Sequence, residues 1–278
     1  MVNKPPFFII GCVRSGTTLL RDVLRQCPNL AAPEETHFFT SSHPFGCAAS
    51  FKILLDDVIL QKHRALDGIS EAEFSEMLRQ SVSRASLQRR YMALFISRNK
   101  PEAKRWFDKT PQNVYGFTMI ATEFPAAKFI HCVRHPIEVI ASLRIGKVVK
   151  IDSLIGACNF WNEAAEMVYV LKRAYPQRVY ELRYEDFTNN MLAETEKILD
   201  FIDEPFELGN FSAMNARINK PSQHDLNGLF TKQELKTISV LCQRWADCYG
   251  YSFGETPKQT KRPGLEAENG LMIKQAPL

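Results

Sequence analysis

The sequence predicts an α/β protein with a central parallel sheet, and two observations carry that prediction. An apolar strand-like run passes through a Gly-bearing turn into a helical pattern within residues 7–27, and the same logic recurs at residues 128–141. Long helical stretches separate these units. Strands alternating with helices pair in parallel, because a parallel partner is reached only through a long crossover.

Each element has a local reason. Phe7-Phe8-Ile9-Ile10 is a short apolar run ending at Gly11, as a buried strand reads. After Gly16 the apolar residues Leu19, Leu20, Val23 and Leu24 recur at helical spacing, until Cys27-Pro28 stops the pattern. Arg105-Trp106-Phe107-Asp108 reads as another short strand. Lys128-Phe129-Ile130-His131-Cys132-Val133 is strand-like, and Arg134-His135-Pro136 is its turn. Proline there suits the first turn of a helix whose Ile137, Ile140 and Ala141 share one side. Val179-Tyr180-Glu181-Leu182 reads as a further strand, followed by a helix over 191–201. Longer helices are expected at about 71–98, 152–174 and 231–249. Residues 254–278, rich in Lys, Glu, Gln, Pro and Gly, read as a polar surface tail after a single domain spanning 1–253.

Composition narrows the function classes. Hydrophobic residues are 45% and charged residues 24% of 278, which excludes a disordered or fibrous chain. Lys and Arg number 35 against 31 Asp and Glu, and a net charge of +4 is too small to coat nucleic acid. Any anion must be met by locally placed cations. The seven cysteines (12, 27, 47, 132, 158, 242 and 248) form no CxxC and no Cys/His cluster, and their odd number favours free thiols in a reducing compartment. The N-terminus lacks a signal peptide's apolar core, and no apolar run approaches the roughly 20 residues of a membrane span. The expectation is a soluble cytoplasmic protein with neither a nucleic-acid nor a membrane partner and no metal site; its oligomeric state is left open.

Gly11-Cys12-Val13-Arg14-Ser15-Gly16-Thr17-Thr18 fits the phosphate-loop spacing G-x-x-x-x-G-x-[ST], between a strand and a helix as such a loop requires. Glycines let backbone N–H groups converge, and the helix N-terminus adds partial positive charge. The departure is Thr17, which stands where the motif has the lysine that neutralises a nucleoside triphosphate beside Mg²⁺. Ordinary ATP or GTP hydrolysis is therefore poorly supported. Arg14 supplies a cation within the loop, and Ser15, Thr17 and Thr18 supply hydroxyls, a set suited to a diester-like phosphate bearing a further anionic group. A P-loop kinase or NTPase, and a non-catalytic nucleotide-binding module, stand as alternatives.

Three further motifs follow in order: Pro33-Glu34-Glu35-Thr36, Asp108-Lys109-Thr110-Pro111, and Val133-Arg134-His135-Pro136 with Ser142 eight residues after the arginine. With the loop they resemble the sulfotransferases that use 3′-phosphoadenosine-5′-phosphosulfate (PAPS), most nearly the tyrosylprotein and related bacterial branch, over residues 7–221. The resemblance implies a three-layer sandwich of the P-loop nucleotide-binding, sulfotransferase-like kind. It implies that Arg14 to Thr18 hold the 5′-phosphosulfate and that Arg134 and Ser142 hold the 3′-phosphate. Eight helical residues turn about 800°, returning Ser142 to near the face of Arg134. Tyr184 resembles the family's nucleotide-contacting tyrosine, and Arg217 and Lys220 resemble a late basic loop that closes on the donor.

For the chemistry, the resemblance implies that Lys109 stabilises or protonates the leaving oxygen, that Arg14 braces the sulfuryl oxygens, and that Glu35 is the general base. His37 and His43 remain rival bases, since cytosolic members of the wider family use histidine. The product would be 3′,5′-ADP (PAP), and sulfuryl transfer does not demand a metal. His37, Phe38, His43, Phe160 and Trp161 are candidates for the acceptor pocket. A small molecule of specialised metabolism, sulfated on a hydroxyl or nitrogen, is the expected acceptor. The secreted tyrosylprotein enzymes carry cysteines flanking the Glu-Glu and Lys motifs, whereas here Ala32-Pro33 and Phe107-Asp108 stand there, which argues against a peptide-tyrosine role.

Overall fold

A computed structural model describes residues 4–146, 149, 151, 153–217 and 228–253, except for the side chains of residues 216 and 217. The chain forms β1 (Phe7–Ile10), α1 (Thr17–Leu24), β2 (Leu30–Ala31), α2 (Ala48–Asp56), α3 (Val58–Leu66), α4 (Glu71–Gln80) and α5 (Arg84–Asn99). It continues with β3 (Arg105–Lys109), a 3₁₀ turn at Pro111–Gly116, α6 (Phe117–Glu123), β4 (Lys128–Val133), α7 (Pro136–Ile145) and α8 (Leu154–Ala174). A second 3₁₀ turn at Pro176–Arg178 leads to β5 (Val179–Arg183), α9 (Tyr184–Asn189), α10 (Met191–Phe201), α11 (Leu208–Arg217) and α12 (Lys232–Cys248).

The strands form one parallel sheet in the order β2-β3-β1-β4-β5. Alternate side chains leave a strand on opposite faces, and the sheet feeds two separate cores accordingly. Phe8 and Ile10 join Trp106, Phe129 and Val133 on the face covered by α5 to α8 and α12. Phe7 and Ile9 join Leu30, Phe107, Ile130 and Leu182 on the other face, under α1, α10 and α11. Both faces are covered, which gives the three layers and explains why β1 is apolar at every position. The strand order reverses at β1, whose neighbours are β3 and β4. The crevice beyond the strand C-termini at such a reversal is where ligands bind in open α/β sheets.

The structure departs from the sequence reading in four places. The helix expected at 71–98 is two helices, interrupted at Ser81-Val82-Ser83. The Ser81 hydroxyl donates back to the Met77 carbonyl, and Ser83 caps α5 by accepting from the Ser86 N–H. Serines that bond their own backbone compete with helix continuation, and Val82 is left 90% exposed. β2 escaped the pattern because two residues show no periodicity. α9 follows β5 without a loop, and residues 48–66 form α2 and α3. The tail reading of 254–278 lies outside the described residues.

Candidate active site

The loop after β1 is shaped for an anion by its backbone. Gly11 has φ 143°, and a Cβ there would stand 2.6 Å from the Cys132 carbonyl oxygen, so glycine is needed for β1 to leave the sheet beside β4. Arg14 (φ 70°) and Gly16 (φ 89°) take the left-handed conformation, the backbone form in which successive N–H groups converge on one concavity. A Cβ on Gly16 would lie 2.1 Å from the Tyr184 ring, so loop and ring touch directly. The N-terminus of α1 carries no side-chain cap and no acidic residue in its first turn. Its orphan N–H groups keep their partial positive charge for a ligand. These features fit a phosphate-type group.

Side chains from β4 and α7 complete this half of the site. Arg14 Nε donates to Ser142 Oγ at 2.9 Å, tying the loop to α7. Arg134 is buried at the end of β4, donates to Glu138 at 2.9 Å, and holds its guanidinium 4.6 Å from the Tyr184 ring centroid. Both residues of the expected phosphate grip, Arg134 and Ser142, have protein partners. Ser142 pairs with Arg14, while Arg134 takes the carboxylate four residues on, because an i,i+4 carboxylate is the nearer, charged partner. Ser15 is fully buried with an unpartnered hydroxyl, and its carbonyl accepts from the Cys132 thiol. Thr17 is buried and Thr18 is exposed. Arg217 ends α11, with its side chain outside those described, and Lys220 also lies outside the described residues.

On the other side of β1, Glu35 and Lys109 meet. Lys109, the last residue of β3, is 2% exposed. Its ammonium donates to Glu35 and, at 3.2 Å, to the Thr18 hydroxyl. His37 reaches back through a left-handed residue (φ 55°), and its Nε2 lies 3.2 Å from the second Glu35 oxygen. Burial alone would raise the Glu35 pKa. The hydrogen bond of His37 and the charge and hydrogen bond of Lys109 outweigh it and bring the carboxyl down to about 2. Burial also pulls Lys109 below the ordinary lysine range, with Glu35 opposing that shift in part. Glu34 points elsewhere, pairing with Arg21 and with Arg25 at 3.1 Å.

A buried polar network, which no spacing or periodicity in the chain announces, holds the two segments together. The Asp108 carboxylate accepts from the Thr36 hydroxyl, Gln88 Nε2 (3.3 Å) and Asn113 Nδ2 (3.1 Å). The Thr110 hydroxyl accepts from the Thr36 N–H at 3.0 Å. Burial pushes the Asp108 carboxyl up against these hydrogen bonds. Residues adjacent to Glu35 and to Lys109 are thereby joined, so neither segment can shift alone.

Of the proposed pocket residues, Phe38 and Trp161 are core. Phe38 packs between Phe74 and Tyr91, and the Trp161 indole donates to the Arg134 carbonyl at 3.1 Å. Their aromatic character reflects packing, which consumes most large apolar side chains. Phe160 is partly buried and stacks 6.4 Å from Tyr115. His43 lines a cleft of about 700 Å³ with Thr40, Phe45, Val82, Tyr115 and Met119. Among the described residues no three His, Cys, Asp or Glu gather as a metal site, and no helix is long and apolar enough to cross a membrane.

Comparisons with known proteins bear on the family and the fold. The model of the sulfotransferase family matches residues 5–207. The chain is 22% identical over 336 aligned residues to a Mycobacterium bovis protein named omega-hydroxy-beta-dihydromenaquinone-9 sulfotransferase, covering 95% of this chain and 80% of that one. It is 24% identical to an uncharacterized Aquifex aeolicus protein, of whose length it spans about a quarter (26%), with 74% of this chain covered. Among solved structures, the sulfotransferase domain of the Synechococcus olefin synthase superposes with a TM-score of 0.64 at 19% identity, covering 91% of this chain and 97% of that one. A mouse sulfotransferase complexed with PAP gives 0.51 at 11%, covering 88% and 85%. A phosphate-type loop without the motif's lysine, a Lys109–Glu35 pair on the β3 side of β1 and a family match over most of the length lead to one conclusion: the chain belongs to the sulfotransferase family.

Proposed function

We propose that the protein transfers the sulfuryl group of PAPS to a hydroxyl or nitrogen of a small-molecule acceptor by in-line displacement, releasing PAP. The observation that carries this reading is the pair of half-buried Glu35 and buried Lys109, hydrogen-bonded to Thr18 at the uncapped start of α1. A base and an acid are thus held beside an anion-binding loop. The mouse neighbour's complex with PAP supports the donor class, and the hydroxyl in the mycobacterial relative's name supports an alcohol acceptor.

When bound, the donor supplies the sulfuryl group and a bisphosphate leaving oxygen. The N–H groups at the start of α1, with Arg14, stabilise negative charge at the loop, and Arg134 with Tyr184 flanks the nucleotide side. Lys109, buried and reduced in basicity, is suited to donate a proton or a strong hydrogen bond to the leaving oxygen. Glu35 accepts the acceptor's proton, and His37 orients it. A carboxyl held at about 2 is a weak base. Any movement of Lys109 away from Glu35 removes part of the charge that holds it there, so basicity rises as the lysine is engaged elsewhere.

The acceptor has space in the cleft that begins at Thr40, whose N–H and hydroxyl both donate to the His37 carbonyl. Its volume of about 700 Å³ is that of a small-molecule site, and Phe45, Tyr115 and Met119 give it apolar walls. A thermal-shift comparison of PAP, ADP and ATP without metal tests the donor class. Selective stabilisation by PAP is expected, together with turnover of PAPS across a panel of alcohols, phenols and amines. An equal or larger shift with ATP overturns the reading.

A further inference from the structure

The base depends on more than its side-chain partners, because its backbone is gripped from a helix outside the four motifs. His63 and Asp67 lie one turn apart along α3 and its C-cap. His63 Nδ1 donates to the Glu35 carbonyl at 3.0 Å, which fixes the proton of that ring on Nδ1 because a carbonyl only accepts. Asp67 Oδ1 accepts from the Glu34 N–H at 2.9 Å. The Pro33–Glu34 and Glu35–Thr36 peptide groups, which flank the Glu34–Glu35 peptide, are therefore held by one helical face.

The helix is itself anchored. Arg64 makes paired bonds to Glu71 at 2.7 and 2.6 Å, linking α3 to α4, and Asn99 of α5 donates to the Asp67 carbonyl at 2.9 Å. The second Asp67 oxygen accepts from the Tyr91 hydroxyl at 2.6 Å, so the carboxylate cannot rotate away from Glu34 without losing that bond. From the opposite side Thr110 accepts from the Thr36 N–H. Small displacements of a catalytic group are costly, which gives such a grip a function beyond stability.

We propose that His63 and Asp67 are positioning residues for Glu35, with α3 clamping the Glu34–Glu35 backbone against the Lys109 segment. The inference rests on the role given to Glu35 above, and its test separates the two. In Asp67→Ala and His63→Ala, kcat is expected to fall about 10-fold to 10²-fold, with the donor KM and the PAP thermal shift unchanged. The peptide carrying residues 34–36 should exchange its amide hydrogens faster in both variants. Asp67→Asn keeps an acceptor for the Glu34 N–H, and His63→Asn keeps a donor for the Glu35 carbonyl, so both should recover most of the rate.

Unchanged exchange in that peptide overturns the clamp. So does an Asp67→Asn or His63→Asn variant as impaired as its alanine counterpart, or a loss appearing equally in PAP binding. If Asp67→Ala does not fold, the partly exposed His63 carries the test alone. Absence of wild-type PAPS turnover with every acceptor would refute the role of Glu35, while the exchange comparison would still decide the clamp.

Discussion

The two sides of β1 meet a ligand by different means. Toward β4, the loop 11–16 and the start of α1 offer backbone N–H groups, with Arg14 tied to Ser142 of α7 and Arg134 to Glu138 four residues on. Toward β3, Glu35 and Lys109 are side chains, and their placement depends on Asp108 and Thr110 beside Lys109, on Gln88 of α5, and on His63 and Asp67 of α3 and its C-cap. The first side takes its shape from one short backbone stretch, which Ser142 and Tyr184 steady from outside. The second is an assembly that exists only in the finished fold, as buried charges require when each must be partnered.

That contrast predicts separable failures. Lys109→Ala should have the largest effect, lowering kcat by about 10³-fold, while PAP still raises the melting temperature as in the wild type. A parallel loss of the PAP shift would show that the two sides are not independent. Glu35→Gln should lower kcat by about 10²-fold, and His37→Ala by much less. The reverse ranking, measured at saturating donor, would transfer the role of base to His37.

Gly16→Ala acts on the other side. Its Cβ would meet the Tyr184 ring at 2.1 Å, and overpacking of this kind should weaken PAP binding by about 10-fold to 10²-fold in calorimetry. A titration indistinguishable from wild type would remove Tyr184 from the loop's support. Ser142→Ala should cost about tenfold or less in donor affinity, the weight of one hydrogen bond to a charged group.

The smallest effect concerns pH and stability. Burial raises the Asp67 carboxyl from 3.8 to about 6, against hydrogen bonds from Tyr91 and the Glu34 N–H. A raised acid pKa means the folded state binds the proton more tightly. Stability from this group is full below pH 3.8 and is lost as pH rises through about 6. Asp67→Asn should therefore melt a few degrees above wild type at pH 7.5 and no higher at pH 4. Glu35 has the opposite sign: its contribution is present above 4.5 and is lost as pH falls toward 2. A melting-temperature profile of Glu35→Gln should be flatter in that acid range.

Legibility followed the same division. Gly11, Arg14, Gly16 and the strand–turn–helix around them were readable because a contiguous segment determines that conformation. The spacing of Glu35 and Lys109 was readable only through resemblance, since 74 residues separate two groups now joined by a hydrogen bond. Helical phase put Ser142 near the face of Arg134, but no local signal showed that Arg14, 128 residues away, donates to it. Phe38 and Trp161 showed aromatic character but not the direction they face.

By itself the sequence determined the alternation of strands and helices, the two-faced apolar core of β1, and the anion loop, because hydrophobic periodicity and glycine backbone freedom act over a few residues. Only the tertiary structure decided which carboxylate meets Lys109 and which is spent on Arg21 and Arg25. It also decided that α3 holds the backbone of Glu34 and Glu35, because a buried polar group takes its identity from partners that chain folding brings from far along the sequence.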